Sequence, residues 1–127
     1  MPKNLAVSPN KQTVQTFFDA FAKSDLAVIH SCLSDDIEWL IPGAFHGAGK
    51  SAFDEQIDPG AIAGDPTISV SRMTEEHNVV VAEGSIRCVR KDGSVRDTAF
   101  CDVFVMQNAK IKHLTSYLME LHDETPR

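Results

Sequence analysis

Apolar residues recur at helical spacing early in this chain and alternate along its second half. Val14, Phe17, Phe18 and Phe21 stand at i, i+3, i+4 and i+7, which makes one wide apolar stripe on a helix. Ser8-Pro9 opens that helix with a side-chain acceptor at the cap and proline in the first turn. Lys23-Ser24 breaks it, and Asp25 opens a shorter helix whose Leu26, Ile29 and Leu33 point one way. Asp35-Asp36 reads as a turn, Ile37 to Ile41 as a short strand carrying Trp39, and Pro42-Gly43 as its end. The stretch PGAFHGAGKS then reads as a flexible loop into a third helix, with Phe53 and Ile57 at i, i+4 and a stop at Asp58-Pro59-Gly60. From Thr67 onward the period changes to two. Thr67 to Met73 alternates, Val79 to Arg90 is a long strand, and Asp92-Gly93 signals a two-residue hairpin turn. Val95 to Met119 reads as two more strands joined at Gln107-Asn108-Ala109-Lys110. Three helical segments and one early strand, followed by four strands, predict an α+β domain with helices packed on a curved antiparallel sheet.

One position breaks the pattern. Asp102 lies between Phe100 and Phe104 on one strand face, while Cys101, Val103 and Val105 occupy the other. An ionised carboxylate in such a strand costs several kcal/mol unless it is paired, hydrogen-bonded or protonated. Asp102 therefore either lines a cavity or is a satisfied core acid.

The hairpin turn suggests a partner. With Asp92-Gly93 as the two turn residues, Glu83 falls directly opposite Asp102, and Arg87 lies further along the same face. Two facing carboxylates repel, so one of them holds a proton near neutrality and can exchange it with a substrate. The alternative places Glu83 at a bulge beside Gly84, pointing to water. The last hairpin has two readings as well. A two-residue turn at Asn108-Ala109 brings His113, Thr115 and Tyr117 to the face of Asp102, whereas a three-residue turn brings Leu114, Ser116 and Leu118.

Composition narrows the classes. The 127 residues fit one domain, with 43% hydrophobic and 24% charged residues, ordinary for a soluble protein. A net charge of −6 argues against a nucleic-acid surface. The start, MPKNLAVSPNK, lacks a signal-peptide core, and no apolar run approaches a membrane span. Cys32, Cys88 and Cys101 are odd in number and widely spaced, so neither a disulfide frame nor a zinc site is indicated, and a cytoplasmic location is expected. The five histidines show no metal-binding spacing, and the Gly43-to-Ser51 stretch has one residue too many for a phosphate loop. No metal or cofactor is expected. Residues 1–7 and 122–127 are expected to be flexible ends.

The order of these elements resembles the nuclear transport factor 2-like (NTF2-like) superfamily, in its SnoaL-like and ketosteroid-isomerase-like branch. The resemblance rests on VQTFFDAFAKSDLAVIHSCLSDDIEWLIPG, GAFHGAGKS and VVVAEGSIRCVRKDGSVRDTAFCDVFVMQNAKIKHLTSYLM, nearly the whole chain. It implies a cone-shaped fold, a strongly bent antiparallel sheet wrapped around three N-terminal helices, with an apolar pocket between them. It also implies a homodimer packed through the outer sheet face. Asp102 resembles the protonated aspartate with which ketosteroid isomerase holds its oxyanion. The isomerase's tyrosine and general base match Phe17 and Ile41, so two of its three catalytic groups are absent. Glu83, Arg87 and Asp102 are loosely similar to the acid–Arg–acid set of limonene-epoxide hydrolases. Similarity to polyketide cyclases covers Trp39 to Gly43 and Lys110 to Tyr117, but Met119 stands where an acid is usual.

Together these readings imply a pocketed dimer acting on a small apolar metabolite by cofactor-free acid–base chemistry of isomerase, cyclase or hydrolase type. Asp102, Glu83 and Arg87 are the candidate catalytic residues. Trp39, Phe17, Phe21 and Phe100 are candidate pocket walls, with His113 or Tyr117 adding a polar contact. A non-catalytic ligand-binding module and a protein-interaction adaptor are the alternatives.

Overall fold

The computed structural model describes residues 7–56 and 64–121. Helix α1 spans Pro9–Ala22, α2 Leu26–Ser31 and α3 Ser51–Gln56. The strands are β1 Leu33–Ile41, β2 Phe45–Ala48, β3 Thr67–Glu76, β4 Val79–Val89, β5 Val95–Gln107 and β6 Lys110–Leu121. They form one six-stranded sheet in the order β2-β1-β6-β5-β4-β3. All neighbouring pairs are antiparallel except β1 and β6, which run parallel.

Helix α1 starts where its cap places it. The Ser8 side chain accepts from the Lys11 N–H at 3.0 Å, and Pro9 occupies the first turn. Its apolar stripe then lies on the inner sheet face, with Val14, Phe17 and Phe18 all buried. The Phe17 ring touches Phe18, Phe21, Phe53 and Phe104 with centroids 5.7 to 6.0 Å apart. All four contacts are edge-on or tilted, as ring quadrupoles prefer.

Several local expectations need correction. Asp35 and Asp36 lie inside β1, in an irregular stretch where the pairing with β6 shifts between Leu33 and Glu38. Leu33 belongs to that strand and not to the helical stripe before it. The Gly-rich stretch holds β2, in which Trp39 of β1 pairs with Gly47. Four residues of such composition carry no alternation long enough to announce a strand. Ile57, the Asp58-Pro59-Gly60 stop and, save for Val7, the expected flexible ends lie outside the described residues.

Both hairpins beside Asp102 differ from simple turn arithmetic. The β4–β5 loop has three residues, Lys91-Asp92-Gly93, closed by the Arg90 N–H donating to the Ser94 carbonyl at 2.8 Å. Asp92 Oδ1 accepts from the Ser94 N–H at 2.9 Å, and only Gly93 takes a positive φ, 91°. This is the turn-plus-αL arrangement of three-residue hairpins, and it slips the register by one. The β5–β6 turn has the two residues Asn108 and Ala109, at φ 53° and 58°. Beyond it the pairing shifts between Val105 and Met106, leaving Lys112 unopposed. That bulge lets Ile111 and Leu114, three positions apart, both reach the core.

Candidate functional site

The β5 side chains at Thr98, Phe100, Asp102, Phe104 and Met106 alternate into the core. Asp102 is thereby carried to the inner face with 7% of its surface exposed. Because of the bulge, Ser116 stands directly opposite it on β6. The Trp39 Nε1–H donates to Ser116 Oγ at 3.0 Å, and Ser116 lines the same cavity as Asp102. Asp102 Oδ1 is buried with no hydrogen-bond partner among the described residues. Burial pushes the Asp102 carboxyl up to about 7, the neighbouring Ser116 hydroxyl opposing that rise.

A cavity of about 180 Å³ lies against this group. Phe17, Phe18 and Phe21 from α1, Trp39 from β1 and Phe100 from β5 form its aromatic walls. Ile41, Ile86, Leu114 and further aliphatic side chains complete it, so Asp102 is the one ionisable group among its described lining residues and Ser116 the one hydroxyl. Trp39 is held in place by stacking on Phe53, with centroids 4.3 Å apart and planes 13° from parallel. Gly84 leaves space for the Phe100 ring. A Cβ there would stand 2.8 Å from that ring and 2.0 Å from the Ser69 carbonyl oxygen.

The structure brings Trp39, Phe17, Phe21 and Phe100 together with Asp102, and separates the remaining candidates from it. Ala82, not Glu83, is opposite Asp102. Glu83 pairs with Cys101 on the outer face, where its carboxylate accepts from Arg72 Nη2 at 2.8 Å. Arg87 is also outside, donating from Nε and Nη2 to the two Asp97 oxygens at 2.8 and 3.1 Å. The three-residue loop is the cause, since one step of register exchanges the two faces. The expected Glu83–Asp102 pair and its Arg87 counter-charge are therefore not formed. The same alternation puts His113 and Tyr117 outside. His113 Nδ1 is 3.5 Å from Glu38 Oε1, and Tyr117 is 53% exposed. Ser116 takes the place assigned to them. Its signal in the sequence is the Ile111-Lys112-His113-Leu114 spacing, which two-residue alternation cannot bury without a bulge. Among the described residues, no three His, Cys, Asp or Glu side chains cluster to hold a metal. No described helix is long and apolar enough to cross a membrane.

Known proteins give the fold a setting. An NTF2-like protein of unknown function from Burkholderia pseudomallei is 22% identical, covering 89% of this chain and 92% of its own, with a TM-score of 0.78. An LEH-like epoxide hydrolase from M. tuberculosis is 16% identical over 87% of this chain and 83% of its own, TM-score 0.77. A putative polyketide cyclase from Xanthomonas campestris is 16% identical over 86% and 89%, TM-score 0.76. No curated protein matches the sequence. At such identities the likeness shows a shared fold and leaves chemistry to the site. The model of the SnoaL-like domain matches residues 14–114, and with the bent sheet over three helices it establishes that this chain belongs to the SnoaL-like family and has the NTF2-like fold.

Proposed function

We propose that this protein binds a small uncharged molecule in the cavity beside Asp102 and moves a proton to or from it with that carboxyl, without a cofactor. The observation that carries the reading is a buried acid whose Oδ1 has no partner among the described residues, set in a cavity wall that is otherwise apolar save for Ser116 and the Trp39 indole. A carboxyl that titrates near 7 is half protonated at neutrality, where a proton donor or acceptor works best. Nothing cationic among the described lining residues would offset a ligand carboxylate or phosphate. Size is a second filter. A cavity of about 150 Å³ holds benzene, so 180 Å³ suits a molecule of about one ring, bearing an oxygen for Asp102.

Cyclohexanone in D2O tests the reading. Its hydrogens next to the carbonyl exchange through the enol, formed when the carbon loses a proton while the oxygen gains one, with Asp102 making one transfer and solvent the other, and proton NMR follows the loss. The expected result is protein-dependent exchange with a pH profile breaking near 7, absent in Asp102→Asn. A 13C titration placing Asp102 below 4, with no exchange, would overturn it. Cyclohexanone binding without exchange would leave the plain binding module in its place.

The homodimer through the outer sheet face belongs to the same reading. Support comes from Tyr117, Met119, Val95 and Leu121, all outward-facing and 47 to 68% exposed. Sedimentation equilibrium should return twice the chain mass. A monomer at micromolar concentration would refute it.

A further inference from the structure

The cavity beside Asp102 is graded from one end to the other. Its closed end is made of Phe17, Trp39, Asp102, Leu114 and Ser116, all buried. The opposite end is made of Phe21 near the close of α1, Ile41 at the end of β1, Ile68 and Ile86, which pair across β3 and β4, and Leu118. The first four are half-buried, and Leu118 is 44% exposed. Leu118 stands opposite Phe100 on the same inner face as Ser116, yet much of its surface meets solvent. A leucine that faces inward and stays wet marks the mouth of the cavity.

Volume and chemistry then limit what a ligand can carry. The 180 Å³ of the cavity is filled by about one ring, so any further group must leave through the mouth. The ligand's oxygen belongs at the closed end, where Asp102, Ser116 and the Trp39 indole are the polar groups among the described lining. Leu118 lies two residues, about 7 Å, along β6 from Ser116. Around it the mouth presents only hydrocarbon side chains among the described residues. Further out the same face turns polar, with Thr98 opposite Glu120 and Arg96 Nε 3.8 Å from Glu120 Oε1. The apolar rim is therefore shallow, and suits a short aliphatic group.

We propose that the ligand is a ring with its oxygen at one end and a short aliphatic substituent at the other, the oxygen toward Asp102 and the substituent in the mouth, where Leu118 selects for it. The proposal rests on the reading above that the cavity holds an oxygen-bearing ring beside Asp102. Two isomers of one composition test it. 4-Propylcyclohexanone carries its chain opposite the oxygen, and 2-propylcyclohexanone carries it next to the oxygen, against the closed walls. Titration calorimetry should find the 4-isomer tighter than cyclohexanone by about threefold per carbon, a little under the value for full burial. The 2-isomer should bind no tighter than cyclohexanone. Equal affinities for the two isomers, or a 4-isomer no tighter than cyclohexanone, would overturn the orientation, and so would a failure of all three to bind. Leu118→Asn should bring the affinity ratio of the 4-isomer to cyclohexanone most of the way back to one. That ratio is taken within one protein, so a general loss of binding cancels. An unchanged ratio would remove Leu118 from the proposal, and if the variant does not fold, the isomers still decide on the wild-type protein. If the isomers separate while ring hydrogens do not exchange in D2O, the acid–base reading falls and the orientation stands. Exchange without separation gives the reverse.

Discussion

Asp102 and Ser116 are direct cross-strand partners on the inner face of the sheet, and both line the cavity. One oxygen of the acid, Oδ1, is buried without a partner among the described residues. Its consequences for stability can be measured without knowing any ligand.

Asp102 should make the protein less stable as pH rises. Its folded value, about 7, lies above the ordinary 3.8. The unfolded chain releases the proton near 3.8 while the folded chain keeps it, so stability from this group is complete below 3.8 and falls until about 7. The full span is at most about 4 kcal/mol. Asp36, Glu75 and Asp97 are held low by their partners and act oppositely, losing stabilisation as pH falls. Urea denaturation of Asp102→Asn against wild type at pH 5 and 8.5 isolates the effect. The variant should gain on wild type by up to about 3 kcal/mol between those pH values, the rest of the span lying below pH 5. A constant difference would show that the acid is not held protonated.

Glu83→Gln and Arg87→Gln should leave the Asp102 midpoint and cyclohexanone exchange in place. Both side chains are on the outer face, bonded to Arg72 and Asp97. A lower midpoint in Glu83→Gln would mean that the two carboxylates interact after all.

Gly84→Ala should destabilise the fold by about 3 kcal/mol, the upper range for an overpacked interior. The new methyl would meet the Ser69 carbonyl at 2.0 Å and the Phe100 ring at 2.8 Å. Since Phe100 lines the cavity, ligand binding should weaken alongside. Chemical denaturation near the wild-type midpoint would contradict the close approach.

Ala109→Gly should stabilise. Ala109 has φ 58° in the two-residue turn, a conformation that disfavours a Cβ. The Thr13 Oγ1–H donates to the Ala109 carbonyl at 2.8 Å, a backbone acceptor that glycine retains. A gain of about 0.5 to 1 kcal/mol is expected in urea denaturation. A loss would place the turn in another geometry.

Much of this molecule is legible in its residues. The spacing of Val14, Phe17, Phe18 and Phe21 specifies the helix and its buried stripe, and the alternation around Phe100 and Phe104 marks a strand with an acid on its inner side. The aromatic walls follow from the same periodicities. Those features depend on neighbours within a turn or two, where local sterics and apolar patterning decide.

The partners of Asp102 were settled only by tertiary structure. A strand's faces exchange with each single-residue slip, so a three-residue loop in place of two sends Glu83 and Arg87 outward. The bulge at Lys112 then sends Ser116 inward and His113 and Tyr117 outward. Each device is selected by distant burial. Ile111 and Leu114 must both reach the core under α1, and the backbone gives up one ladder position to let them. Sequence alone established that an acid sits inside. The register of two hairpins decided that it faces a serine and a cavity instead of a second acid.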